Sequence, residues 1–168
     1  MKLDFDRILA VARYTSHVAR RTWYIARRTW HVALFVLASC DPQLTDDPIP
    51  LVTFQDEVCN LALPAYSALR NYGGFVQLKN IGLRGVIVYR VDETTFRAYE
   101  RNCSYHPNEA GSTVDIHSSS LYMIDTSCGS TFNFTDGQPT GGPAWRPLRQ
   151  YYTKVQGNIL TITSEIIN

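Results

Sequence analysis

Two short segments hold the side chains best suited to chemistry: Cys103-Ser104-Tyr105-His106 and Cys128-Gly129-Ser130-Thr131. Thiolate sulfur and imidazole nitrogen are ligands for borderline-soft metals. Cys103, His106 and Cys128 therefore form a three-member candidate set that would suit a tetrahedral zinc ion. His117, in the run His117-Ser118-Ser119-Ser120, is a candidate fourth ligand. Without a metal, the histidines read as solvated loop residues and the cysteines as small apolar groups. Cys59, in Val58-Cys59-Asn60-Leu61, reads as a core thiol. Other chemistry is sparse. The chain has no Gly-x-Ser-x-Gly elbow, no phosphate loop and no His-Glu-x-x-His. Asp46-Asp47 and Asp56-Glu57 are adjacent carboxylates, and neighbours on a strand point to opposite faces, so both pairs read as surface charge. This inventory predicts a protein that is not an enzyme.

The elements that must position these residues are short strands. Val52 and Phe54 start one, and further apolar or alternating runs are Phe75–Leu78, Gly85–Arg90, Thr95–Tyr99, Leu121–Ile124 and Phe132–Phe134. Tyr151–Val155 and Ile159–Ile162 flank Gly157-Asn158, which reads as a hairpin turn. One short helix is predicted over Pro64–Tyr72, with Ala65, Leu69 and Tyr72 on its apolar face and Gly73-Gly74 ending it. Many short strands between turn signals predict an antiparallel all-β domain. Residues 102–147 are richer in Gly, Ser, Pro and Asn and hold both loop cysteines.

The 168 residues suffice for one domain, and 18% charged residues argue against disorder. Charge is unevenly placed. Residues 1–39 hold seven Lys/Arg against two aspartates, whereas residues 40–168 hold nine basic and thirteen acidic side chains. A mildly acidic body excludes a nucleic-acid partner. The basic head leads into Val32-Ala33-Leu34-Phe35-Val36-Leu37 and the small residues Ala38-Ser39, the order of a signal peptide. This run is too short to span a bilayer as a helix. Leu37-Ala38-Ser39-Cys40 resembles the bacterial lipobox, which implies lipidation of Cys40 and a membrane partner. The arginine pairs Arg20-Arg21 and Arg27-Arg28 weakly resemble a twin-arginine export signal. Asp41-Pro42-Gln43 through Pro50 reads as an extended tether. The expected organisation is signal peptide 1–39, tether 40–50 and a β domain at 51–168, located in the cell envelope and facing the periplasm or exterior.

The order Cys128-Gly129-Ser130-Thr131-Phe132, Asp136-Gly137, Gly142-Pro143-Ala144, Pro147-Leu148, with Cys103 upstream, resembles the cluster-binding half of a Rieske [2Fe–2S] domain. The likeness covers roughly residues 70–168. It implies Rieske-like antiparallel sheets with a small inserted cluster-loop subdomain at about 102–147, and a proline loop at Pro143 capping the cluster loops. Rieske loops read Cys-x-His and Cys-x-x-His, two cysteines serving one iron and two histidines the other. Tyr105 and Thr131 stand at the histidine positions here, so the ligand set is incomplete. His106 is one place beyond and is the substitute candidate, giving Cys103, His106 and Cys128 as a degenerate cluster site. The expectation is no cofactor, with an atypically ligated [2Fe–2S] centre and electron transfer as the alternative. Facing ligand loops further imply a Cys103–Cys128 disulfide in place of the cluster, favoured by an oxidising compartment. Such a bridge could serve as a staple or as a redox-active pair. The layout is similar to degenerate Rieske-like lipoproteins of Bacteroidetes-type bacteria, and implies a structural or interaction role with a protein partner left open.

Overall fold

Val86, Ile87 and Val88 are consecutive apolar residues, and all three are completely buried. Successive strand side chains point to opposite faces, so a strand buried at every position must be covered on both sides. The computed structural model, which describes residues 47–168, shows what covers each face. The expected signal peptide, Cys40 and most of the expected tether lie outside the described residues.

Ten strands and one 3-10 helix follow in order: β1 Glu57–Asn60, the helix Pro64–Arg70, β2 Phe75–Leu78, β3 Val86–Arg90, β4 Phe96–Glu100, β5 Val114–Ile116, β6 Met123–Asp125, β7 Ser130–Phe132, β8 Pro139–Gly141, β9 Gln150–Gln156 and β10 Ile159–Ile166. They form a six-stranded sheet of order β1-β10-β9-β4-β3-β2 and a four-stranded sheet of order β5-β6-β7-β8. Every pairing is antiparallel. The all-β, antiparallel class with one short helix is therefore what the described residues adopt.

β4 and β9 are direct neighbours, with Ala98 opposite Tyr151 and Tyr99 opposite Gln150. The chain between them leaves the large sheet, builds the four-stranded one and returns. Val86, Val88, Phe96 and Ala98 face a core with Cys59, Leu69, Tyr151, Leu160 and Ile162. Ile87 and Tyr99, on the opposite face, pack with Cys103, Val114, Met123, Phe132, Phe134 and Leu148. The second sheet thus covers the outer face of β3 and β4 and carries the cysteine loops onto it.

Several local expectations are corrected. The helix is a 3-10 helix, begun by Pro64 at its first turn, with Tyr66 N–H bonded to Leu63 O at 3.1 Å. Its period of three puts Tyr66 and Leu69 on the core side and leaves Ala65 exposed, and the helix ends at Arg70, so Tyr72 lies beyond it and is exposed. The first strand is Glu57–Asn60, paired with β10, and Val52–Phe54 is not a strand. β5 and β8 are strands that alternation in three residues is too short to reveal. The hairpin at Gly157-Asn158 forms as expected, with Gln156 opposite Ile159 and Gly157 at φ 59°. Cys59 is a fully buried core thiol within β1.

Candidate functional site

Cys103 lies just after β4, where the chain leaves the large sheet. Its N–H donates to Ser112 O at 3.1 Å, and Asn102 bridges to Thr113. Arg84 holds this loop from outside: Nε donates to Asn102 Oδ1 at 2.6 Å, and the guanidinium also reaches the carbonyls of Glu109 and Ala110. The loop is pinned at both ends, so the Cys103 side chain is fixed in the second core, where it is fully buried.

Cys128 sits on the tight turn between β6 and β7. Asp125 builds that turn: its Oδ1 accepts the Ser127 N–H at 2.9 Å and the Ser127 hydroxyl at 2.6 Å. Its carbonyl accepts the Gly129 N–H at 2.8 Å. This is the Asx geometry that short acidic side chains favour at turns. Gly129 completes the turn at φ 75°. The loop Gly142-Pro143-Ala144 then docks on the turn, with Ala144 N–H donating to Ser130 Oγ at 3.1 Å. The Cys103 loop joins the same surface through a reciprocal pair: Ser104 Oγ to Arg146 O at 2.6 Å, and Arg146 Nη2 to Ser104 O at 2.7 Å.

These loops bring the two sulfurs to 3.9 Å from one another. Both cysteines are free thiols, so the disulfide expected there is not formed. The contact is almost twice the roughly 2.05 Å of a sulfur–sulfur bond. Beside them lies a group the sequence did not bring forward, the fully buried Asp125. The Cys128 thiol is 3.4 Å from Asp125 Oδ2 and 3.1 Å from Ser130 Oγ, and Ser112 Oγ donates to the same Oδ2 at 3.2 Å. Cys103, Asp125 and Cys128 place one ligand atom each within 4.8 Å of the others.

Burial alone would raise the Asp125 pKa, but hydrogen bonds from Ser127, Cys103 and Cys128 outweigh it and hold the carboxyl below its ordinary value. Burial pushes the Cys103 thiol pKa far up; the Tyr105 N–H opposes this, and the bond to Asp125 adds to it. The centre is thus a carboxylate receiving thiol protons. A thiol so strongly protonated is a poor nucleophile at neutral pH, which counts against thiol exchange.

The sign of the acid response follows. A carboxyl whose folded pKa lies below its unfolded value contributes stability above the unfolded value, near 4, and loses it as pH falls through the folded value. Asp125→Asn should lower the urea midpoint at pH 7 and flatten its decline below about pH 4 relative to the parent. A parallel acid limb in both proteins would contradict this role.

His106 stands apart from this group. Its Nδ1 lies 3.9 Å from Glu109 Oε1, and its ring abuts Tyr105 at 3.9 Å between centroids. His117 closes the β5–β6 turn, pairing with Ser119 Oγ at 2.8 Å and stacking on Tyr122 at 4.3 Å. Thr131, at one Rieske histidine position, pairs its hydroxyl with Thr140 Oγ1 at 2.9 Å. The donor chemistry therefore fits half of a Rieske centre. Two sulfurs 3.9 Å apart suit one iron, but Tyr105 and Thr131, which the resemblance sets at the histidine positions, offer a phenol and a hydroxyl paired with Thr140, poor iron ligands beside imidazole. Asp125 could have been suspected from Asp125-Thr126-Ser127, an Asx-turn sequence abutting Cys128.

No protein-family model matches the chain, and no curated protein matches it. Among solved structures, the chain is similar to one titled as the complex of reduced oxygenase and oxidised ferredoxin in carbazole 1,9a-dioxygenase. That likeness has 22% identity, covers 58% of this chain and 87% of that one, and has a TM-score of 0.41. A ferredoxin of Sphingomonas yanoikuyae B1 is similar at 14% identity over 55% of this chain and 87% of its own, with a TM-score of 0.40. The ferredoxin of carbazole 1,9a-dioxygenase from Nocardioides aromaticivorans IC177 is similar at 22% identity, over 56% and 88%, with a TM-score of 0.40.

Proposed function

We propose that this chain is a bacterial envelope lipoprotein, anchored through Cys40, whose β domain keeps a Rieske-like two-loop plan without its iron–sulfur cluster. It serves as a non-catalytic structural or interaction domain. The observation that carries this reading is the composition of the site. Both cysteine loops are in place, but Tyr105 and Thr131 occupy the histidine positions and Thr131 is committed to Thr140. Asp125 supplies the buried charge that organises the two thiols. No helix among the described residues is long and apolar enough to cross a membrane. The anchor is assigned to Cys40 on the lipobox alone.

The test is an absorbance spectrum with iron and sulfide analysis on the full chain, purified reduced and without oxygen. The expected protein is folded and colourless, with iron and sulfide at background. Rieske-type absorption with about two irons per chain would overturn the reading and assign electron transfer instead. In the producing cell, Cys40→Ser should move the protein from the membrane to the soluble fraction, and unchanged membrane association would remove the anchor from the proposal.

A further inference from the structure

We infer that Cys103, Cys128 and Asp125 form a mononuclear site for a thiophilic divalent cation of the zinc class, in the place where a cluster would otherwise sit. The inference rests on the cluster-less reading above, because an iron–sulfur centre would use the same two sulfurs.

The first support is distance. A tetrahedral ion with metal–sulfur bonds of about 2.3 Å holds two sulfurs about 3.8 Å apart. The two sulfurs here are 3.9 Å apart without a covalent bond between them. Two thiols brought this close by separate loops already span one edge of the coordination tetrahedron. The second support is the third donor. Asp125 is fully buried, and its Oδ2 faces the Cys128 sulfur at 3.4 Å. All three ligand atoms fall within 4.8 Å of one another, the scale of one ion's coordination sphere.

The surroundings support the ligands in the way metal sites require. Asp125 Oδ1 is fixed by the N–H and hydroxyl of Ser127, which leaves Oδ2 turned toward the sulfurs. Ser130 Oγ lies 3.1 Å from the Cys128 sulfur and already accepts the Ala144 N–H, so its own proton is free to turn toward a thiolate. Cys128 is only partly buried, whereas Cys103 and Asp125 are fully so, and it marks the side from which an ion would enter. Binding replaces two thiol protons by one ion, with no change of oxidation state. Thiolate donors select zinc over magnesium or calcium, and three protein ligands leave one position for a water.

The experiment is a titration of the reduced full chain with cobalt(II) alone, followed by displacement with zinc(II). One cobalt per chain is expected, with tetrahedral d–d bands and thiolate-to-cobalt charge transfer that zinc removes. Zinc should also raise the unfolding temperature of the wild-type chain. Cys128→Ser should abolish the charge-transfer signal, and Asp125→Asn should weaken cobalt binding at least about tenfold, the lower end of what changing even an outer-shell partner of a ligand costs. A wild-type protein free of iron and sulfide that shows neither cobalt signal nor stabilisation by zinc overturns this inference and leaves the proposed function standing. Iron and sulfide in the purified protein overturn both. Cobalt binding that survives Cys128→Ser unchanged places the ion elsewhere and also overturns the inference.

Discussion

Glu100→Ala is expected to destabilise the domain by about 3–5 kcal/mol, the range for breaking a buried charged network from one side. Glu100 ends β4 and is 2% exposed. Its carboxylate accepts the Leu83 N–H at 2.7 Å, the Arg84 N–H at 3.0 Å, the Asn102 N–H at 3.2 Å and the Tyr151 hydroxyl at 2.8 Å. One side chain thus ties the loop before β3, the start of the Cys103 loop and β9 together. Gly82 shows how closely the loop wraps it: a Cβ there would lie 2.4 Å from Glu100 Oε2. Alanine at position 100 leaves the buried Asn102 N–H and Tyr151 hydroxyl, and the part-buried Leu83 and Arg84 N–H groups, without this acceptor. Tyr151→Phe removes one bond of the four and should cost only about 1–2 kcal/mol. Urea unfolding measures both, with an unchanged slope marking a change in stability alone. A Glu100→Ala cost no larger than that of Tyr151→Phe would show that water replaces the carboxylate and that the network is not what holds these three segments.

Gly142→Ala is expected to be the most damaging single methyl near the thiols. A Cβ at this position would lie 2.5 Å from both Gly129 O and Ser130 Cα, and φ is 78°. The left-handed conformation alone costs about 1–2 kcal/mol for alanine. The backbone overlap must also push the Gly142-Pro143-Ala144 loop off the Cys128 turn, adding about 1–3 kcal/mol as overpacking does. The Ala144 N–H bond to Ser130 Oγ goes with it, and Cys128 loses its cover. Gly129→Ala is the control, since Gly129 has φ 75° but a Cβ there meets nothing within 4 Å. It should cost only the conformational part. Alkylation of Cys128 by a thiol reagent should quicken in Gly142→Ala and stay near the parent rate in Gly129→Ala. Equal losses of stability in the two variants would sink the docking argument.

Much of this was legible along the chain. A continuous apolar run gave β3, as a strand covered on both faces requires, and alternating residues gave β4, β9 and β10, because a half-buried strand needs side chains of one kind every second position. Gly157-Asn158 gave the hairpin, and Gly137 the positive φ of 70° that its turn requires, with the Tyr99 ring 2.7 Å from where a Cβ would lie. Cys59 read correctly as a core thiol. Misreadings occurred where period and length were ambiguous. A seven-residue segment opened by proline fits a period of 3.0 as well as 3.6, and three-residue strands are too short to show alternation.

The sequence by itself determined the all-β class and the two cysteine loops, with Tyr105 and Thr131 at the places where the Rieske resemblance would set histidines. Each of these is a property of residue type and local order. Only the tertiary structure decided that the two sulfurs stand 3.9 Å apart as free thiols, and that Asp125 rather than His106 gathers with them. The reason is that the site is assembled across distance. Val114, Met123 and Phe132 of the second sheet pack on Ile87 and Tyr99 of the first, and that apolar contact carries the β6–β7 turn onto the loop leaving β4. Asp125 follows the run Leu121–Ile124, just beyond the strand that the sequence predicts. It becomes the centre of the site because burial removes water and leaves the thiol protons and serine donors around it to satisfy its charge.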